Sequence, residues 1–321
     1  GNFAGLPAVI NDPLTGRPFP NNRIPADRLE PAAVKFLALF PAPNTQGTFS
    51  ARYGIWTSNW IRAAPGANPK NLGVTRVDYN PTEKDKLFAT FAHVNEWPWD
   101  QVKDFDNVLN TIEGPRRRDI RRATVAYTRF LRPALTSEFL AATQRDPRKI
   151  PPWFPEFDVT KELGIQRKIG TNLPTISVSG FGSFGNSRYQ DWVHQTTQVS
   201  QILSWLKGRH TVRFGGQYWQ NQFWYISDPQ RSGSYSFNGE ITGLGAAGLE
   251  QPANAVADLL LGAVKSASIT VAQIPVNRTS YNLGLFLNDD WKVTNRLTVN
   301  LGLRYEFETR QIVKNNVYSR V

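Results

Sequence analysis

Residues 281–307 read YNLGLFLNDDWKVTNRLTVNLGLRYEF, and this stretch decides the fold. Tyr281, Leu283, Leu285, Leu287, Asp289 and Trp291 occupy alternate positions, with Asn282, Gly284, Phe286, Asn288 and Asp290 between them. After the polar run 292–296 the alternation resumes. Leu297, Val299, Leu301, Leu303, Tyr305 and Phe307 share one face, and Thr298, Asn300, Gly302, Arg304 and Glu306 share the other. A side-chain period of two, held twice across a short break, is a β-hairpin.

The same pattern recurs upstream. A hairpin turns at 207–210, with Val199, Leu203 and Trp205 on one arm and Val212, Phe214, Gly216 and Tyr218 on the other. Two more turn at 80–85 and 131–136, where Pro81 and Pro133 do no harm because turn residues need not donate an N–H. The four turns take six, six, four and five residues, whereas the stretches 96–119, 147–194 and 222–280 take 24, 48 and 59. Compact water-soluble domains rarely hold structureless connections of that length. Strict alternation of short and long connections is the rule in outer-membrane barrels, with short periplasmic turns and long outer loops. The best strands have 11 residues, and a tilted membrane strand needs about 9–11. The expected fold is therefore all-β: a partial antiparallel transmembrane barrel over 72–321, preceded by an extracellular loop region over 1–71. The Pro-, Asn- and Gly-rich first 50 residues read as an extended surface loop, and short helices are expected at 31–39 and 252–261.

The two strand faces have different chemistry. Tyr79, Trp205 and Trp291 lie beside the short turns, and Tyr218, Tyr281 and Tyr305 toward the other strand ends. They are expected to form two lipid-facing aromatic girdles around an aliphatic band, because amphipathic rings prefer the headgroup level. Arg76, Asp78, Arg213, Gln217, Asn282, Asn288, Asn300, Arg304 and Glu306 fall on the opposite face and are expected to line a lumen. At mid-bilayer a lipid-facing charge costs roughly 2–4 kcal/mol, so these side chains must point to water or to a plug. Asp289 breaks the rule, two residues from its turn. The cluster Arg116, Arg117, Arg118, Arg121 and Arg122 reads as a solvated loop or as a contact for outer-leaflet lipid phosphates.

Composition agrees. The 321 residues include 10 Trp, 10 Tyr and 19 Phe, with 37 Lys and Arg against 26 Asp and Glu for a net charge of +11. No apolar run is long enough for a transmembrane helix, which leaves barrels untouched. There is no Cys, so no disulfide, thiolate metal site or thiol nucleophile is available. His93, His194 and His210 are isolated in sequence, with no carboxylate at ligand spacing. No catalytic residue, metal site or cofactor is expected. Two G-x-G-x-x-G matches, 180–185 and 243–248, lack the surrounding βαβ unit and read as loops rather than as dinucleotide sites. A nucleic-acid interface would want a basic face with base-stacking aromatics, with which the +11 charge is compatible, but no nucleic-acid partner is expected.

The segment 288–306 resembles the "DDW…LTLNLGLRYE" hairpin of TonB-dependent outer-membrane receptors, and most closely the Oar-like branch. Residues 11–16 (NDPLTG), 24–29 (IPADRL), 40–44 (FPAPN), 208–216 (GRHTVRFGG) and 258–262 (DLLLG) are similar to stretches of that branch. The resemblance implies a plugged barrel in the outer membrane that takes up a ligand with energy from the TonB complex, which acts through a plug domain. No plug, no N-terminal β-sandwich and no closing aromatic strand is visible in 1–321, so the chain is expected to be an interior slice of such a barrel. Outer-membrane lipid, the TonB complex and an unidentified ligand are the implied partners. Ligand contacts are expected in 147–194 and 222–280. A passive porin or adhesin barrel, and a soluble secreted β-sandwich that binds glycans through loop aromatics, are the alternatives.

Overall fold

The computed structural model describes residues 1–63, 66, 69–96, 103–166, 172–186, 188–228, 231–245, 251–270 and 274–314. Its dominant element is an antiparallel meander of eight long strands. They are β1 (Lys70–Thr82), β2 (Asp85–Glu96), β3 (Arg117–Arg132), β4 (Leu135–Ile150), β5 (Tyr189–Lys207), β6 (His210–Asp228), β7 (Val276–Thr294) and β8 (Leu297–Glu308). Each pairs with its sequence neighbours, and the short strand Ile312–Val313 adds to the far end of β7. β1 and β8 end the path and do not pair with each other, so among the described residues the sheet is open. An all-β, antiparallel architecture is thus what the alternation leads to.

The turns are tighter than their polar composition suggests. Thr82 pairs with Asp85, Arg132 with Leu135, Lys207 with His210 and Thr294 with Leu297, leaving two-residue loops at all four. Pro81 therefore lies within β1, at a register irregularity between Tyr79 and Thr82 where no ladder donor is required. At the third turn Gly208 has φ +60°, which lets two residues reverse the chain.

The strands are also longer than the 11-residue alternation, reaching 19 residues in β5, β6 and β7. The extra length lies away from the turns. There Gln, Thr, Asn and Arg occupy both faces, as in Gln195, Thr196, Asn221 and Gln222. Two-sided polarity erases a period of two while leaving hydrogen-bonded pairing intact, so pattern reading stops short.

The turns are staggered. The pairing row through Asp85, at the first turn, runs through Arg129, Ser137, Leu203, Phe214 and Leu287 to Leu303. Leu303 is six residues from Leu297 at the fourth turn, six strands further on. A slip of one residue per strand, about 3.3 Å along and about 4.8 Å across, requires a tilt of about 35° if the turns share one level. That is the tilt of transmembrane barrel strands.

The buried apolar residues, Ile150 at the end of β4 apart, are not in this sheet. They lie where the N-terminal region meets the long connections, in two adjoining clusters. One holds Phe36 from α1 (Pro31–Leu37), Val159 and Leu163 from α2 (Val159–Leu163), and Leu259 from α3 (Pro252–Leu260). The other packs Phe3, Ile10, Phe19 and Ile24 against Ala253, Ala257 and Leu260 of α3. The N-terminal residues are thus not an extended surface loop: Ile10 is fully buried and Phe3 and Phe19 nearly so. Their density of Pro and Asn hides a compact fold held by side chain to backbone bonds. Asn22, at φ +55°, accepts from Ile10 N and donates to the carbonyls of Phe3 and Ala8 at 2.8–3.0 Å. Asp12 and Arg28 form a forked ion pair at 3.1–3.2 Å, joining two of the motif stretches named above. α1 and α3 lie where expected; α2 was missed.

A small sheet completes this cap. Its strand order is Ser266–Ser268, Ser234–Phe237, Thr175–Val178, Gly182–Phe184, and its central pair is parallel. The two connections leave the same end of the long sheet, so segments taken from each can run in the same direction. Gly180, Gly182 and Gly185, all with positive φ, build the tight hairpin of the first G-x-G-x-x-G match, which is a turn and not a phosphate loop. The second match lies partly outside the described residues.

Candidate functional site

The pairing register divides the long sheet into two faces of opposite character. On one face a row runs Phe307, Leu283, Tyr218, Val199, Ala141, Val125, Ala89, Val77, apolar across all eight strands. A neighbouring row runs from Tyr305 through Leu285, Gly216, Gln201, Phe139, Tyr127 and Leu87 to Tyr79. None of the described residues covers this face: Leu303 is 74% exposed, Tyr305 61%, Val77 61% and Tyr79 60%. Soluble monomers rarely expose contiguous apolar patches beyond a few hundred Å², and a sandwich would place a second sheet here.

All six aromatic candidates lie on this face. Trp205 pairs with Val212 and Trp291 with His210 beside their turns, while Tyr281 stacks on Tyr218 at 6.1 Å toward the other end. Tyr79 and Tyr305 share one row although they were assigned to opposite ends. The tilt resolves this: seven strand spacings at about 35° separate them by roughly 15–20 Å in height. The span from Tyr281 to Trp291, ten steps of about 3.3 Å at that tilt, covers about 27 Å, close to the apolar band of a barrel.

The other face carries all nine polar candidates. Arg76 forks onto Asp78 at 2.7–2.8 Å and lies over the Phe88 ring at 4.0 Å. Arg304 meets Glu306 at 2.5–2.6 Å. Asn282 pairs with Trp219, Arg213 with Asn288, Gln217 with Gly284 and Asn300 with Asp290. The set is spread along the wall and forms no cluster. Among the described residues no three His, Asp or Glu side chains gather as metal ligands would.

Two histidines gain carboxylate partners that sequence spacing hid. His93 bonds Asp119 at 2.5 Å from the neighbouring strand. His210 bonds Asp289 at 2.7 Å and stacks on Trp291 at 5.4 Å. Asp289 is thus paired on the apolar face through a residue 79 positions away. Only strand register could have disclosed either contact.

The arginine cluster is divided by the same alternation. Arg118 and Arg122 sit on the polar face, Arg117 and Arg121 on the apolar one, and Arg116 precedes β3. Arg118 forks onto Asp146 at 2.6–2.8 Å and lies 3.7 Å from Glu96. Arg121 faces Arg145 across the pair β3–β4, one same-face row beyond Ala123 and Thr143. The five residues are therefore not one patch.

The cap has its own polar centre. Asp258 of α3 is fully buried and accepts from the backbone N–H groups of Gly239, Thr242 and Ile241 at 2.9, 2.9 and 3.4 Å. Burial pushes its carboxyl above the ordinary range, opposed by those three donors. By contrast, hydrogen bonding to Arg28 holds the Asp12 carboxyl below it.

Comparison with known proteins agrees with the architecture. The family described as outer membrane beta barrel domain matches residues 1–321. Among solved structures, the outer membrane transporter YddB from Escherichia coli is similar at 11% identity and a TM-score of 0.47, over 81% of this chain and 30% of that one. The chain thus spans less than a third of that transporter's length. No curated protein sequence matches. An uncovered apolar face, a polar opposite face, tilted strands and two-residue turns are what an outer-membrane location demands, and the chain belongs to the outer membrane β-barrel domain family.

Proposed function

We propose that the chain is one wall of a TonB-dependent outer-membrane transporter of the Oar-like branch, taking up a ligand with energy supplied from the inner membrane. The observation that carries this reading is the hairpin β7–β8, whose sequence 288–306 resembles that receptor family, together with a polar sheet face of paired charges. A lumen lined by ion pairs suits a wall packed against a polar plug, since the Arg76 and Arg304 guanidiniums already have acceptors when water is displaced. In this reading the apolar face meets lipid, with Tyr79, Trp205, Tyr218, Tyr281, Trp291 and Tyr305 at its margins. The turns face the periplasm, and the cap of 1–63 and the long connections faces outward. Arg121, with Arg145 beside it, lies beyond the outer girdle and suits lipid phosphates; Arg118 and Arg122 belong to the lumen.

The test needs no knowledge of the ligand. The intact protein is inserted into planar bilayers and, separately, passed over immobilised periplasmic domain of TonB. A plugged transporter stays closed and is retained. Stepwise conductance without retention would mean a passive porin and would overturn the energised reading.

A further inference from the structure

A cavity of about 470 Å³ opens on the polar side of the sheet, where β3, β4 and β5 meet the cap. Its size is that of small-molecule sites. Five arginines line it: Arg116, Arg117, Arg118, Arg148 and Arg188. The carboxylates beside them are already engaged. Asp146 takes Arg118 in a forked pair and Arg148 at 3.4 Å. Glu113 takes Arg116 at 3.0 Å and Arg188, while its carbonyl accepts from Trp153 Nε1 at 2.8 Å, which pins the loop. The Nε–H groups of Arg148 and Arg188 are buried and have no hydrogen-bond partner. Leaving such donors unmatched in a site with excess positive charge is costly, and an oxyanion would satisfy both the charge and the donors.

We propose that this cavity is an anion-binding site of the polar wall, taking a carboxylate, phosphate or sulfate group, free or carried on a saccharide. Arg148 and Arg188 supply the open donors, Arg118 supplies field while held by Asp146, and the Trp192 ring, 5.9 Å from the Arg148 guanidinium, closes one side. None of the residues assigned to lumen or lipid from sequence alone, Arg118 and its neighbours 116 and 117 apart, forms part of it. The inference rests on the reading of the polar face as the ligand side.

The experiment is equilibrium binding to the intact protein in detergent, where neither TonB nor an energised membrane is required. The probes are inorganic phosphate, trigalacturonate and, as the neutral control, maltotriose. Binding of phosphate or trigalacturonate, weakening as salt rises and falling about tenfold or more in Arg148→Gln, is expected. Competition by phosphate alone identifies a free oxyanion; binding of trigalacturonate alone identifies one carried on a saccharide. Arg148→Lys keeps charge without the fork and is expected to fall between. Arg296→Gln, in the distant turn, is expected to bind like the parent. Arg188→Gln replaces Arg148→Gln should the latter fail to show heat-modifiable migration. Equal binding of maltotriose, no binding of either anion, or no change in the arginine variants overturns the proposal. Anion binding without TonB retention would overturn the energised reading and leave this site standing, and the reverse result would do the opposite.

Discussion

Substituting Leu287 by Arg separates a lipid-facing wall from a water-facing one. Leu287 lies four residues from Trp291 and six from Tyr281, near the middle of the apolar span, with Phe214 and Leu303 as its cross-strand neighbours. It is 50% exposed, so the described residues leave half of its surface uncovered. On a sheet bathed in water the change would cost within about 0.5 kcal/mol, as surface substitutions do. Facing the bilayer midplane it costs about 2–4 kcal/mol, which shifts the folded population by a factor of about 30 to several hundred. The matched control is Ser200→Arg, seven residues from the end of its strand at the turn as Leu287 is, but on the polar face beside Gln217 and Leu140, with an expected cost under about 1 kcal/mol. The assay is guanidinium-dependent folding of the intact protein in phosphatidylcholine vesicles, followed by tryptophan fluorescence and heat-modifiable migration. Equal costs for the two substitutions would refute the assignment of faces.

Four further outcomes follow from the geometry. Asp258→Ala leaves the N–H groups of Gly239, Thr242 and Ile241 without their acceptor. At roughly 1–3 kcal/mol for each buried donor, the cap should open to protease while the long sheet keeps its migration shift. Because burial raises the Asp258 carboxyl, its contribution to stability is full below the ordinary carboxylate range near 3.9 and is lost as pH rises through the raised value. Cap proteolysis should therefore speed up with pH above that range in the parent, and Asp258→Asn should remove this component. In β6, Gly215→Val would place a Cβ 2.3 Å from the Gln201 carbonyl oxygen in the adjoining strand, and refolding yield should drop sharply. At the exposed φ +60° turn, Gly208→Ala should lower stability by only about 1 kcal/mol in the same vesicle titration.

The faces of the long sheet were legible because alternate residues carry opposite chemistries, apolar on one face and polar on the other. Every aromatic and polar candidate consequently fell on the face assigned to it by alternation. Legibility ended where that contrast ends. Above the apolar span both faces of β5 and β6 mix polar residues with aromatics such as Trp192 and Trp224, and the strands run on without a pattern. The cap was opaque for a different reason. α3 was legible as a helix, but it buries Ala253, Ala257 and Leu260 against one cluster and Ala255 and Leu259 against the other, so no single apolar face disclosed its partners. α2 did carry a signal: Asp158 caps Thr160 N and Lys161 N, and Gly164 follows at φ +83°. The arginine cavity was hidden because Arg148 and Arg188 come from segments far from the conspicuous run at 116–122. Alternation within that run pointed two of its members away from the others.

The parallel pairing of Thr175–Val178 with Ser234–Phe237 has a mechanical consequence. It stitches the connection between β4 and β5 to the one between β6 and β7, and α3 stitches the second of these to the amino-terminal residues. Outer loops of a barrel can ordinarily diverge one at a time, each a separate graft on a constant wall. Here three segments share hydrogen bonds and side-chain packing, so they vary, shed and exchange as a set. Transplanting any single one into a related wall should fail, while moving all three together should carry the cap intact.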